Sequence, residues 1–234
     1  MTEVGGLSPA SVWDALAGVY DPELDEPITS LRFVSGCEVS GEGVVSVRLR
    51  LPTPQCAPNF AFLMAADARR VVAAVPGVRG VTVTLEDHYT GDEINAAIAR
   101  GEGFMGAFPG ETADDDLEAL RELFTRKALV ARQGRVCAQL LGSGVSEERV
   151  VSMRVADLPA GGEAARCVEL RERLAIESGP AAPAFVTASG EPLDAAGLGR
   201  WLRMARLVST SLEANGGICR SMLEFRHNLK QEVF

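Results

Sequence analysis

The feature that most constrains this chain is a stiff loop, Pro52-Thr53-Pro54-Gln55-Cys56-Ala57-Pro58. Proline fixes φ and removes a backbone donor, so such a stretch suits neither a helix interior nor a central strand. Pro58 suits a first helical turn. Before the loop, Val44, Val45, Val47 and Leu49 predict a strand. After it, Phe60, Leu63, Met64, Val71 and Val75 recur roughly on one helical face. Pro76-Gly77 ends that helix, and Val78, Val81, Val83 and Leu85 predict another strand. The order strand, rigid loop, helix, strand predicts a small α/β unit with Cys56 at a preset position.

Elements on either side complete that unit. Ser8-Pro9 reads as an N-cap and first helical residue, followed by Val12, Leu16 and Val19 on one face. Asp21-Pro22-Glu23 stops the helix. The run Ile28 to Val39 has extended character, and Gly41-Glu42-Gly43 reads as a hairpin turn. Asp92 is a candidate cap for a short helix through Ile94, Ala97 and Ile98. Residues 101–112 hold four glycines and little periodicity, and read as a linker. Asp114-Asp115-Asp116 then suits a helix start, as a solvated acidic turn rather than a metal cage.

The remainder reads as mainly helical. Leu117, Leu120, Phe124 and Ala128 continue at helical spacing, and residues 140–147 read as a turn with Ser146 capping the next helix. Cys167 to Ile176 fits helix or strand, and Ala184 to Ala188 a short strand. Leu198, Leu202, Ala205, Val208 and Leu212 mark an amphipathic helix, which Asn215-Gly216-Gly217 is expected to break before a final helix. The predicted class is therefore α+β: a small N-terminal three-stranded sheet with packed helices, plus a mainly helical C-terminal domain. The boundaries are 8–100 for the first domain, 101–112 for the linker and 113–230 for the second domain.

Charge and composition exclude several classes. With 23 basic and 32 acidic residues and no basic run, the chain is a poor phosphate binder, so nucleic acid is not an expected partner. No stretch approaches about 18 continuous apolar residues, and the N-terminus lacks a signal-like pattern, so the expectation is a cytoplasmic protein with no membrane partner. Cys37, Cys56, Cys137, Cys167 and Cys219 are widely spaced and odd in number. That pattern is neither a disulfide framework nor a self-contained metal motif.

Among candidate chemical groups Cys56 is the sharpest. It lies at or just before a helix start, where free backbone donors and the helix dipole favour a thiolate. Thiolates are natural ligands for iron-sulfur clusters. His88 stands beside Glu86 and Asp87. Contiguous strand residues point to opposite faces, so a compact triad is not implied, and a hydrogen-bonding loop is the simpler reading. Cys137, Cys167 and Cys219 read as core or half-buried thiols. The expected turn before Cys219 gives it a weaker claim to a second helix-start site. Asp21 and Glu23 suffice, on local grounds, to end a helix and shape a turn.

Trp13-Asp14-Ala15-Leu16, followed by Val19-Tyr20-Asp21-Pro22-Glu23-Leu24, resembles the opening of the iron-sulfur cluster assembly domain. That family includes SufT-type proteins and the PaaD-like proteins of ring-hydroxylating pathways. The pattern continues in Ile28-Thr29-Ser30-Leu31, the Val44 to Leu49 strand, Thr53-Pro54-Gln55-Cys56 and Val78 to Leu85. The resemblance covers roughly residues 8–100. It implies a small α/β domain in cluster maturation or delivery, with the reactive cysteine falling on Cys56 and the acidic motif on Asp21 and Glu23. It further implies that Thr53 orients the loop. Two departures stand out: Arg32 where a glycine is usual, and His88-Tyr89 where a proline-tryptophan segment is common.

The expected function is that of an accessory factor for iron-sulfur cluster assembly or insertion, with Cys56 as ligand or transfer thiol. A single cysteine cannot close a cluster site. The cluster would be transient or shared, and the partner a cluster scaffold or an apo-client, in a homodimer or heterocomplex. The runner-up is a cluster-free chaperone or adaptor for a metal-containing oxygenase. An enzyme using Cys56 for thiol transfer ranks below both, because the sequence places no base beside it.

Overall fold

The structure is a computed structural model that describes residues 7–110 and 117–227. The Asp114-Asp115-Asp116 run lies outside the described residues. The chain divides into two compact units, one comprising residues 1–119 and 215–234, the other residues 120–214. The expected second domain, 113–230, assigned the last helix wholly to the later part of the chain, yet that helix returns to the first unit from Asn215 onward.

In the first unit, helix α1 (Pro9–Leu16) begins as the sequence indicates. Ser8 accepts from the Ser11 backbone N–H, and Ser11 answers with the reciprocal bond of a capping box. Val12 and Leu16 are fully buried. A two-residue antiparallel pair follows, β1 (Tyr20–Asp21) with β2 (Glu26–Pro27). The extended run begins later than expected. Residues 29–32 turn first, and β3 covers only Val34–Val39. Arg32 in that turn has φ 61°, the left-handed conformation that glycine adopts at low cost. This is the position where the family resemblance leads one to expect glycine.

Strands β3, β4 (Val44–Arg50) and β5 (Gly80–Glu86) form one sheet in that order, with β3–β4 antiparallel and β4–β5 parallel. Val45, Val47 and Leu49 alternate inward on β4, and Val83 and Leu85 do so on β5. Parallel neighbours require a crossover, which helix α2 (Pro58–Ala73) supplies. Its buried residues are Ala61, Phe62, Leu63, Met64, Ala65, Ala68 and Val72, so Leu63 and Met64 are buried as expected and Val72 replaces Val71. Three of these seven are alanines, whose small side chains let the helix lie close to its neighbours; a search for large apolar residues passes over them. Helix α3 (Gly91–Arg100) follows β5. Its N-cap is Thr90 rather than Asp92, and Asp92 sits inside the first turn. Part of the expected linker is packed: in α4 (Phe104–Ala107), Phe104 is buried and meets the Phe62 ring edge-on at 5.5 Å.

The second unit is helical. It holds most of α5 (Glu118–Gly142), then α6 (Glu147–Ser152), α7 (Gly162–Arg173) and the first part of α8 (Ala195–His227). Ser146 caps α6, and α7 settles the Cys167 region as helix. Cys137 and Cys167 belong to the apolar core with Leu129, Leu170, Leu198 and Trp201. Burial, with the charge of a nearby glutamate, pushes their thiols up to about 11 and about 12 respectively. A Cβ at Gly134 would come within 2.6 Å of the Ala205 Cβ, which marks a close crossing of α5 and α8. Ala184 to Ala188 does not form the expected strand; only isolated bridges, Arg154 with Pro183 and Val186 with Pro192, occur there. Side chains substitute for a neighbouring strand. Buried Gln133 accepts from the Val186 N–H at 2.9 Å and donates to its carbonyl at 3.2 Å, and Arg171 donates to the Pro183 carbonyl at 2.8 Å.

The expected break at Asn215-Gly216-Gly217 is absent, and α8 runs unbroken through it. Each glycine costs a helix only about 1 kcal/mol relative to alanine, which packing readily offsets. Gly216 also has a positive reason to be there: a Cβ at that position would lie 2.6 Å from the Glu26 carboxylate. Cys219 is therefore in mid-helix, and the helix-start argument for its reactivity does not hold.

Candidate functional site

The cysteine loop leaves the end of β4 through buried Leu51 and Pro52. Residues 53–56 form a tight turn, with the Cys56 N–H donating to the Thr53 carbonyl at 3.4 Å. The Thr53 hydroxyl lies 3.5 Å from the Cys56 sulfur. Cys56 itself is half-buried, one residue before the α2 N-cap, Ala57. No side chain caps that helix start.

A second segment holds the loop from the side. His88 Nε2 lies 2.7 Å from the Cys56 carbonyl, and the Tyr89 N–H donates to the Pro54 carbonyl at 3.0 Å. The Thr90 N–H donates to His88 Nδ1 at 3.3 Å. Nδ1 thus acts as an acceptor, and the proton belongs on Nε2, where it is donated to the Cys56 carbonyl. Sequence reasoning placed neither histidine near Cys56; the β5–α3 turn brings His88 there. Both its nitrogens are engaged, so metal ligation by His88 would require giving up one of these bonds. Its acidic neighbours are also occupied: Glu86 pairs with Arg50 at 3.0 Å, and Asp87 faces the same guanidinium at 3.9 Å.

Asp21 is buried, at 7% exposure. Its Oδ1 accepts from the Glu23 N–H at 2.8 Å and the Leu24 N–H at 3.0 Å, so Asp-Pro-Glu builds its own turn. Burial pushes the Asp21 carboxyl up to about 6, against those two backbone donors; the Glu23 and Glu26 charges add to the rise. Glu23 is exposed on the outside of this turn.

The returning part of α8 packs on the same region. Arg220 pairs with Glu26, and Glu26 is the cross-strand partner of Asp21. Arg226 donates to the Pro52 carbonyl at 3.0 Å and approaches that of Leu51 at 3.4 Å. Arg32 and Glu224 form a further ion pair at 3.6 Å. Cys219 is half-buried on this helix. Burial first, then the charges of Asp21, Cys56 and Glu23, push its thiol up to about 11, with Arg220 opposing. Sequence reasoning missed Arg220 and Arg226 altogether. The available signal was the spacing of Gly216, Cys219, Leu223 and Arg226, which share one face once the helix is allowed to continue. Among the described residues, no three His, Cys, Asp or Glu side chains gather as a metal-binding set. No described helix is long and apolar enough to cross a membrane.

Residues 9–85 match the family described as "Iron-sulfur cluster assembly protein". An uncharacterized protein of Methanocaldococcus jannaschii is 33% identical over 96 residues, which span 99% of that protein and 41% of this chain. A protein of Porphyromonas gingivalis named "Fe-S protein maturation auxiliary factor" is 32% identical over 92 residues, 86% of its length and 38% of this chain.

Proposed function

The chain belongs, through residues 9–85, to the iron-sulfur cluster assembly protein family, and from that premise we propose that it helps to load a client protein, with Cys56 as the ligand or transfer thiol. The observation that carries this reading is the way the loop is held. Two hydrogen bonds from the β5–α3 turn and the Thr53 turn position Cys56 at the unguarded start of α2. A positioned thiol loses little freedom when it binds, which suits a ligand more than a mobile surface cysteine would. The cluster is cargo here. One thiol from this chain leaves the other ligand positions to a scaffold, an apo-client or a second copy, so transfer is an exchange of thiolates between proteins. Asp21, Glu23 and Thr53 support the loop and its surface, and the second unit selects the partner.

The test is anaerobic reconstitution of the full chain with iron and sulfide, followed by cluster absorption, in parallel with Cys56→Ala. The reading expects absorption in the wild type and its loss in the variant; equal loading would overturn it. Co-purification from the native host separates the alternative. A stable client complex without iron or labile sulfide would favour a cluster-free adaptor for a metal-containing oxygenase.

A further inference from the structure

Proline has no backbone N–H, so Pro52, Pro54 and Pro58 leave the cysteine loop to be gripped largely through its carbonyls. Those of Pro52, Thr53, Pro54, Cys56 and Ala57 all accept hydrogen bonds. Four of the donors are local to the first unit's sheet and α2: the Cys56, Ala61 and Tyr89 N–H groups and the His88 ring. The fifth, Arg226, comes from the returned end of α8, outside residues 9–85. It takes the loop at its first residue, donating to the Pro52 carbonyl at 3.0 Å and reaching that of Leu51 at 3.4 Å.

Arg226 is itself held in place. Leu223, one turn earlier, is 1% exposed. Arg220 pairs with Glu26, and Glu224 meets Arg32 at 3.6 Å. Arg32 keeps a left-handed φ of 61°, a costly conformation for a residue with a Cβ, and from there its guanidinium faces α8. These contacts set which side of the helix faces the loop, while Ile218, Met222 and Phe225 stay exposed. A charged donor on a docked helix has less side-chain freedom left to lose than a free surface arginine, so it restrains its acceptor better.

We propose that Arg226 is a positioning residue for Cys56. It fixes the entry of the cysteine loop as His88 fixes its exit, so the thiol is presented in one geometry. The proposal rests on the reading of Cys56 as the working thiol and deepens it: presentation of that thiol depends on a side chain from outside the matched residues, and on the docking of α8 that carries it.

The test is the rate at which iodoacetamide alkylates each cysteine of the full chain, reduced and chelator-treated, read by mass spectrometry of the cysteine peptides. Cys37 on β3 and Cys219 on α8 are also half-buried and serve as internal controls. Local opening governs the labelling of such thiols. Arg226→Ala is expected to raise the Cys56 rate roughly fivefold, the effect of one lost hydrogen bond on an opening equilibrium, with Cys37 and Cys219 unchanged. Arg226→Lys keeps a charged donor and is expected to stay within about twofold of the wild type. Phe225→Ala, on the exposed face, is expected to match the wild type. An unchanged Cys56 rate in Arg226→Ala overturns the proposal, as does a lysine variant as fast as the alanine one. A rise shared by Cys37 reports general loosening, and one shared by Cys219 reports undocking of the helix; either overturns the assignment to the loop. Labelling involves no cluster, so it decides the role of Arg226 separately from that of Cys56. Normal cluster loading by Cys56→Ala would remove the transfer reading and leave the labelling result intact.

Discussion

Single residues set the pH response of the Asp21 turn and the hold on the Cys56 loop. The folded protein raises the Asp21 carboxyl from 3.8 to about 6. Between those values the folded state holds the proton more tightly than the unfolded chain. The stabilising contribution is therefore complete below about pH 4 and is lost as pH rises through about 6. Asp21→Asn keeps an oxygen for the Glu23 and Leu24 donors and removes the buried charge. It is expected to gain on the order of 2 kcal/mol at pH 7 and to flatten this pH slope, as read by urea unfolding across pH 4 to 7. His88→Ala removes the bond to the Cys56 carbonyl and is expected to cost about 1 kcal/mol in the same assay. It should also make Cys56 loading less efficient without abolishing it. The turns at Cys56 and at Asp21 could be read from the sequence, because both depend on neighbours within three residues. The role of His88 could not, because its partner lies 32 positions away.

Among the elements, the strands and α2 were the most readable, since alternation and proline placement are local signals. The Ala184 to Ala188 segment shows where such signals stop. Its composition suits a strand, yet its partners are the side chains of Gln133 and Arg171 rather than another backbone. Gln133→Leu would strip both Val186 backbone groups of their partner and is expected to cost about 2–4 kcal/mol by denaturant unfolding. Helix α8 makes the complementary point. Two glycines suggest a break, but continuity was decided by the contacts of Gly216 and Leu223, which no local window contains. Leu223→Ala on its inward face is expected to cost about 2–5 kcal/mol. Phe225→Ala, at 86% exposure, should stay within about 0.5 kcal/mol. Equal effects in the two variants would contradict the assigned facing of this helix.

For the whole molecule, the matched residues build the sheet, the cysteine loop and helices α1 and α2, while α3, α4 and a helix from late in the chain complete the same unit. This return was hidden at the sequence level because a boundary placed at residues 101–112 assigns everything after it to a separate domain. The arginines that tie the helix down, Arg220 and Arg226, carry no motif of their own. The proposed route for the cargo runs through Cys56. Its most direct test is the rate at which a reconstituted cluster moves from the full chain to a small apo iron-sulfur protein, followed by visible circular dichroism. Wild-type protein is expected to transfer its cluster, and Cys56→Ser to transfer none above the rate of free iron and sulfide. Transfer by Cys56→Ser at the wild-type rate would rule that route out.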